Sequence, residues 1–136
     1  MSFRMYIRVV SDALMPVDIS NLLGVDPDEA HAIGSRKRPE YPPRSHTSWI
    51  REVESPVPGA RPEDFTPVLL SWGDDFATAL GGLTGREAAT VSLVIVQEIR
   101  DIDSSAEKGI FLGAGLLAWL ARAGAAIDID QYIHHD

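Results

Sequence analysis

An α+β domain, with helices on one face of a mainly antiparallel sheet, is the fold this sequence predicts, and three observations predict it. Phe3, Met5, Ile7 and Val9 alternate with Arg4, Tyr6 and Arg8, the period of a strand buried on one face. Phe65, Val68, Leu69, Trp72, Phe76 and Leu80 recur at helical spacing, laying one apolar stripe against a core. Ala126–Ile133 alternates again, with Ile127, Ile129 and Ile133 on one side and Asp128, Asp130 and Tyr132 on the other.

The remaining elements fall between these. After Pro16, Asp18 is placed to N-cap a short helix carrying Ile19, Leu22 and Leu23, and Gly24 to end it. Glu29–Gly34 reads as a short strand. Ser35–Ser45 holds Pro39, Pro42 and Pro43, and proline removes ladder donors and fixes φ, so this segment is a loop. His46–Val53 is the second strand of a hairpin, centred on Trp49-Ile50. Ser55–Pro62 is a proline-rich connection. The helix that follows starts near Pro67, which suits only a first turn, and stops at Gly81-Gly82. Thr90–Ile99 is apolar on both faces through Val91, Leu93, Val94, Ile95 and Val96, as a central strand should be. Asp101–Lys108 is a polar loop. Gly113–Ala123 is helical, with Leu116, Leu117 and Leu120 inside and Gly124 as its stop. The order βαββαβ followed by αβ matches a ferredoxin-like unit with one helix–strand pair appended, a two-layer sandwich. Right-handed crossovers place the last helix with the others and the last strand beside its predecessor. The sheet's other face is left open.

Composition narrows the class. At 136 residues the chain has the size of one domain, residues 1–136. An apolar fraction of 45% with 24% charged residues is that of an ordinary globular protein, which excludes disorder and coiled coil. No apolar run approaches the roughly 20 residues of a membrane helix, and Met1–Tyr6 alternates too early for a signal peptide. Cytoplasm is the expected compartment. Without cysteine there is no disulfide framework, no thiolate nucleophile and no cysteine-type zinc site. A net charge of −8 repels phosphate backbones, which argues against nucleic acid, and suits a basic protein partner as well as plain solubility.

Three stretches together resemble a bacterial family described as domain of unknown function 4279. The first is the N-terminal strand and short helix ending Leu22-Leu23-Gly24-Val25-Asp26-Pro27. The second is Ser48-Trp49 followed by Glu54-Ser55. The third is Leu116–Tyr132, a helix ending Ala123-Gly124 that runs into Ile127-Asp128-Ile129-Asp130. The chain departs from the family pattern at Arg51-Glu52, where a more apolar stretch is usual, and at Gly113 and Gly115. The resemblance implies a fold and supplies no reaction.

Residues that invite chemistry have plainer readings. His134-His135-Asp136 carries metal-ligand types, but chain ends fray and metal sites need fixed geometry. Asp128 and Asp130, at i and i+2, share a strand face roughly 7 Å apart. They suit acid–base work or a cation, but the reading preferred is cross-strand pairing with Arg4 and Arg8. His46, near Ser45 and Ser48, has no nucleophile turn or oxyanion loop beside it. His31 reads as a strand-edge residue. Gly81–Arg86 follows a helix instead of joining a strand to one, so it is a helix stop and no phosphate cradle. Arg36-Lys37-Arg38 with Arg44 is a basic cluster on a loop, read as solvated. No catalytic residue, cofactor site or metal site is assigned.

The open sheet face is the candidate partner surface. It presents Tyr6, Val10, Val94, Val96 and Tyr132, ringed by Arg4, Arg8, Asp128 and Asp130, an apolar patch with a charged rim. Two treatments of this face stand side by side: it binds, or the loop Ser35–Ser45 folds over it. The leading expectation is a non-enzymatic module that holds a protein partner or a second copy there. One version is an immunity-type protein that neutralises a basic toxin. The competing expectation is a small-ligand binder or enzyme with a cleft lined by His46, Trp49 and Asp130.

Overall fold

A computed structural model describes residues 2–86, 89–105 and 109–135. Among them the chain forms five strands and four helices: β1 (Ser2–Ser11), α1 (Pro16–Leu23), β2 (Glu29–His31), β3 (Thr47–Val53), α2 (Pro62–Leu70), α3 (Asp74–Gly85), β4 (Thr90–Ile99), α4 (Ala114–Ala123) and β5 (Ala125–Ile133). The strands build one mixed sheet in the order β2-β3-β1-β4-β5. Three neighbouring pairs are antiparallel; β4 and β5 are parallel, and α4 lies in the crossover connection that parallel neighbours need. No helix among the described residues is long and apolar enough to cross a membrane.

The register converts alternation into two faces. Ile7 lies between Arg51 and Leu93, and Val9 between Trp49 and Val91. Met5, Ile7, Val9, Trp49, Leu93 and Ile95 therefore share one face, where they pack with Ile19, Phe65, Leu69, Leu80, Leu116 and Leu120 from the helices. All are buried, and each such side chain contributes about 1.5–3 kcal/mol of transfer free energy. Two buried indole N–H groups find acceptors at 3.1 Å: Trp49 Nε1 donates to Ser20 Oγ, and Trp119 Nε1 to the Gly73 carbonyl. They tie α1 to β3 and α4 to the start of α3.

Local outcomes differ from the sequence expectation at several points. The single stripe Phe65–Leu80 belongs to two helices, α2 and α3. The chain breaks at Ser71–Gly73, where Trp72 N–H and Gly73 N–H close tight turns onto the Leu69 and Leu70 carbonyls and Gly73 takes φ 93°. Pro67 stands inside α2, past its first turn; Pro62 occupies the N-terminal position that proline favours. Gly81-Gly82 does not stop the helix, which runs through both to Gly85. A side chain at Gly81 would collide with the Arg122 carbonyl, so this glycine serves the close approach of α3 and α4. Asp18 caps α1 from inside: the helix begins at Pro16, and the Asp18 carboxylate accepts the Met15 N–H at 2.9 Å. Gly24 ends α1 with φ 74°, as expected. β2 is shorter than Glu29–Gly34, because past His31 the chain turns into the loop. There Thr47 Oγ1 accepts the Ile33 N–H at 3.0 Å. Of the loop expected at Asp101–Lys108, residues 106–108 lie outside the described residues, as does Asp136.

Candidate partner surface

The opposite face of the sheet carries Arg4, Tyr6, Arg8 and Val10 from β1, Ser48, Ile50 and Glu52 from β3, Val94 and Val96 from β4, and Asp128, Asp130 and Tyr132 from β5. This follows from pairings such as Glu52–Tyr6–Val94–Asp128 and Arg4–Val96–Asp130. All nine residues expected at this face, Val10 included, therefore lie on one face. No helix residue joins the cluster there, which consists of Tyr6, Ile50 and Val94 with Val96 packed against them.

That cluster is closed, however. Val94 has no exposed surface, and Tyr6 is buried. The cover includes the charged side chains around it. The Arg4 guanidinium lies 4.6 Å from the centroid of the Tyr6 ring and is bonded to the Glu52 carboxylate, with Nε to Oε1 at 2.7 Å. Of the pairing expected between Arg4 and Arg8 and the two aspartates, Arg4 instead takes Glu52 of the neighbouring strand β3. Arg8 does reach Asp128, at 3.4 Å, while its Nε is buried with no partner among the described residues. Burial pushes the Tyr6 phenol above its ordinary pKa, helped by Asp130 and Glu52 and opposed by Arg8 and Arg4. The hydrogen bond to Glu52 raises Arg4 further.

The loop at residues 35–45 is held largely by its own main chain. Gly34 N–H donates to the Arg44 carbonyl and Arg44 N–H to the Ser35 carbonyl, each at 2.8 Å. The Arg36 guanidinium donates to the Tyr41 carbonyl at 2.6 Å. Most of its residues, including Arg36, Lys37 and Arg38, are exposed.

Exposed apolar surface appears instead along β5. Ile127, Ile129, Tyr132 and Ile133 are 38%, 43%, 55% and 46% exposed. The isoleucines keep the helix side of the sheet, opposite Leu93, Ile95 and Ile99. They are not the closed core stripe that their period suggests, because β5 pairs with β4 alone and forms the sheet's edge. Gln131 Nε2 donates to Gln97 Oε1 at 2.9 Å and holds the edge to its neighbour. The ladder continues into the tail, where His134 N–H reaches the Ile99 carbonyl at 2.9 Å and its ring lies 3.8 Å from Glu98.

The residues of the expected cleft do not meet. Trp49 is fully buried on the helix face, Asp130 lies on the opposite face, and His46 sits before β3. His46 does line a cavity of about 570 Å³ at the other end of the sheet, with Ser11, Asp12, Thr84, Thr90 and Gly124. The Ser11 hydroxyl is already engaged there, accepting the Ala13 and Leu14 N–H groups at 3.1 and 2.9 Å. His31 pairs with Glu29 at 3.0 Å on β2. Ile50 and Glu52 complete the open face and are not among the residues expected there from sequence. Their signal was the alternation of Ser48, Ile50 and Glu52 against Trp49 and Arg51, and only the register places them beside Tyr6 and Arg8. Arg51 itself turns to the helix side, its guanidinium 4.1 Å from the Trp72 ring centroid and 5.0 Å from that of Phe76, and burial lowers its pKa.

Fold and surface together define an α+β chain whose mixed sheet packs one face on the helices, buries Tyr6 and Val94 on the other beside Arg4 and Glu52, and ends at β5, which among the described residues pairs with β4 alone. The chain belongs to the family described as Domain of unknown function (DUF4279), whose model matches residues 1–134. No curated protein and no solved structure matches it. The function of the domain is unknown.

Proposed function

We propose that the chain is a single, non-enzymatic protein-binding domain, and that a basic partner meets it on the β5 side of the sheet. One observation carries this reading: the centre of the open face is sealed, while Tyr132 and the isoleucines of β5 stay exposed beside Asp130. Aromatic and aliphatic surface rimmed by carboxylate is suited to protein contact. A net charge of −8 favours fast encounter with a cationic surface. Arg8 and Arg4 are occupied by Asp128 and Glu52, whereas Asp130 has no ion-pair partner among the described residues, so it can receive an outside cation. A basic toxin, as for an immunity-type protein, is one partner of this chemistry. We read β1–β4 as the ferredoxin-like unit of a two-layer sandwich. The order β2-β3-β1-β4 supports this, and α4 and β5 are then the appended pair that carries the surface.

The test is affinity retention from lysate of the source cells on immobilised chain, with Asp130→Arg/Tyr132→Ala compared with Glu29→Arg at the far edge. The expected result is a basic protein retained in a salt-sensitive manner by the native chain and by the Glu29 variant, and lost with the β5 variant. Equal retention by all three refutes the assignment. A second reading rests on the cavity beside His46, whose volume of about 570 Å³ suits a small ligand. A ligand-induced melting shift abolished by a bulky replacement at Thr90 would favour it.

A further inference from the structure

We infer that β5 takes its partner by strand addition, and that the added segment alternates basic and apolar residues. This rests on the reading of the β5 side as the binding surface, and specifies how the partner is held. The His134 N–H bond to the Ile99 carbonyl sets the phase of the parallel ladder. Because successive residues of a strand turn their main chain to opposite sides, Asp128, Asp130 and Tyr132 direct N–H and C=O toward β4. Ile127, Ile129, Gln131 and Ile133 direct theirs outward, where no described residue meets them. β5 is nine residues long, whereas β2 at the opposite edge has three. Length, exposed main chain and exposed aliphatic side chains are what make an edge a template for another strand.

The side chains then select the occupant. An incoming strand places one row of residues against Ile127, Ile129 and Ile133 on the helix side. Its other row lies against Asp128, Asp130 and Tyr132 on the open side. The first row matches valine- or isoleucine-like residues and the second lysine or arginine. A second copy of this chain fits poorly. Pairing β5 with itself over its whole length centres the two-fold on Ile129 and sets Asp128 opposite Asp130, and like charges directly opposite are unfavourable. Sliding the copies far enough to part the carboxylates leaves about five of the nine residues of each strand paired, so nearly half of each edge stays without its partner strand.

The experiment uses the full chain and two synthetic ten-residue peptides, one alternating lysine with valine and one alternating glutamate with valine. Binding is followed by backbone amide shifts and hydrogen exchange. The lysine peptide is expected to bind, and to slow exchange at Ile127, Ile129, Gln131 and Ile133. The glutamate peptide is expected to bind at least tenfold more weakly. Ile129→Pro deletes an outward donor at a position where an edge strand tolerates proline, and should weaken the lysine peptide about tenfold or more. Asp130→Arg should invert the preference between the peptides. Circular dichroism melts confirm that each variant is folded. Lysine-peptide binding that survives Ile129→Pro, or that leaves the outward amides unprotected, overturns strand addition while leaving partner binding on the face intact. No binding of either peptide at about 1 mM, or a β5-mediated dimer in sedimentation, also overturns it. Salt-sensitive partner retention in the lysate experiment is scored independently, so loss of the parent reading is distinguishable.

Discussion

Gly81 and Gly82 are adjacent in α3, yet their replacement by alanine should move stability in opposite directions. In a helix interior alanine is favoured over glycine by about 0.8–1 kcal/mol. At Gly82 nothing lies within 4 Å of an added Cβ, so Gly82→Ala should realise most of that gain. At Gly81 the Cβ would fall within 3.0 Å of the Arg122 carbonyl oxygen, with the Arg122 and Ala123 carbonyl carbons at 3.5 and 3.8 Å. The obstacle is backbone, and α4 carries Trp119 and Leu120 in the core, so relief requires moving a packed helix. Overpacking of this kind costs about 1–3 kcal/mol. Subtracting the propensity gain leaves Gly81→Ala about 1 kcal/mol less stable than the native chain, and about 2 kcal/mol below Gly82→Ala. With an unfolding entropy of about 2.1 cal/mol/K per residue over 136 residues, the two variants should melt about 7 °C apart. Urea titration and thermal melts followed by circular dichroism measure both values. If Gly81→Ala proves as stable as Gly82→Ala, the close approach of α3 and α4 is wrong.

Ser20→Ala removes the acceptor of the fully buried Trp49 indole N–H, and should cost about 1–3 kcal/mol in urea denaturation. Val94→Asp should leave the chain unfolded at ordinary temperature, detected as loss of the cooperative melt. Val94 has no exposed surface, and an isolated carboxylate there lacks compensation. Tyr6→Phe should flatten the alkaline limb of the stability profile. Burial raises the folded phenol's pKa, so its contribution is complete below the free phenol's value of about 10. It is lost as pH climbs from there through the folded value, because the unfolded state releases the proton first. Urea midpoints from pH 8 to 11 check the difference.

Elements whose identity depends on local pattern were legible in the sequence. Thr90–Ile99 reads as a central strand because apolar residues fill both its faces, and it lies between β1 and β5. Ala126–Ile133 is legible as a strand to within a residue of its start. What period cannot give is the number of neighbours a strand has. Ile127 and Ile129 alternate like core residues, and their exposure follows from strand order alone. Period is equally blind to the break between α2 and α3. Trp72 and Phe76 meet edge to face at 5.6 Å across it, so the apolar stripe continues where the helix does not. Period is blind too to which carboxylate each arginine takes: Arg4 pairs with Glu52 and Arg8 with Asp128. Alternation gives the shared face, but which side chains come within reach depends on pairing between residues far apart in sequence.

The sealed face and the open edge bear on one another. The pairs Arg4–Glu52 and Arg8–Asp128 are partly exposed, and such pairs stabilise by at most about 1 kcal/mol. Their consequence for binding is larger than for stability, because they occupy the side chains that would otherwise greet a partner over Tyr6 and Val94. The main chain beneath is also committed, since β1 is paired on both sides. A partner reaching the centre would have to break those ion pairs and would find no backbone donors there. At β5 the second obstacle is absent, since no described residue pairs with its outer edge, and the first is halved. Asp128 is tied to Arg8, whose Nε has no partner among the described residues, but Asp130, two residues along the same face, is in no ion pair among them. A cation arriving at the edge can therefore neutralise Asp130 without unseating Arg8. Charge, exposed aliphatic surface and unpaired main chain coincide on this one strand.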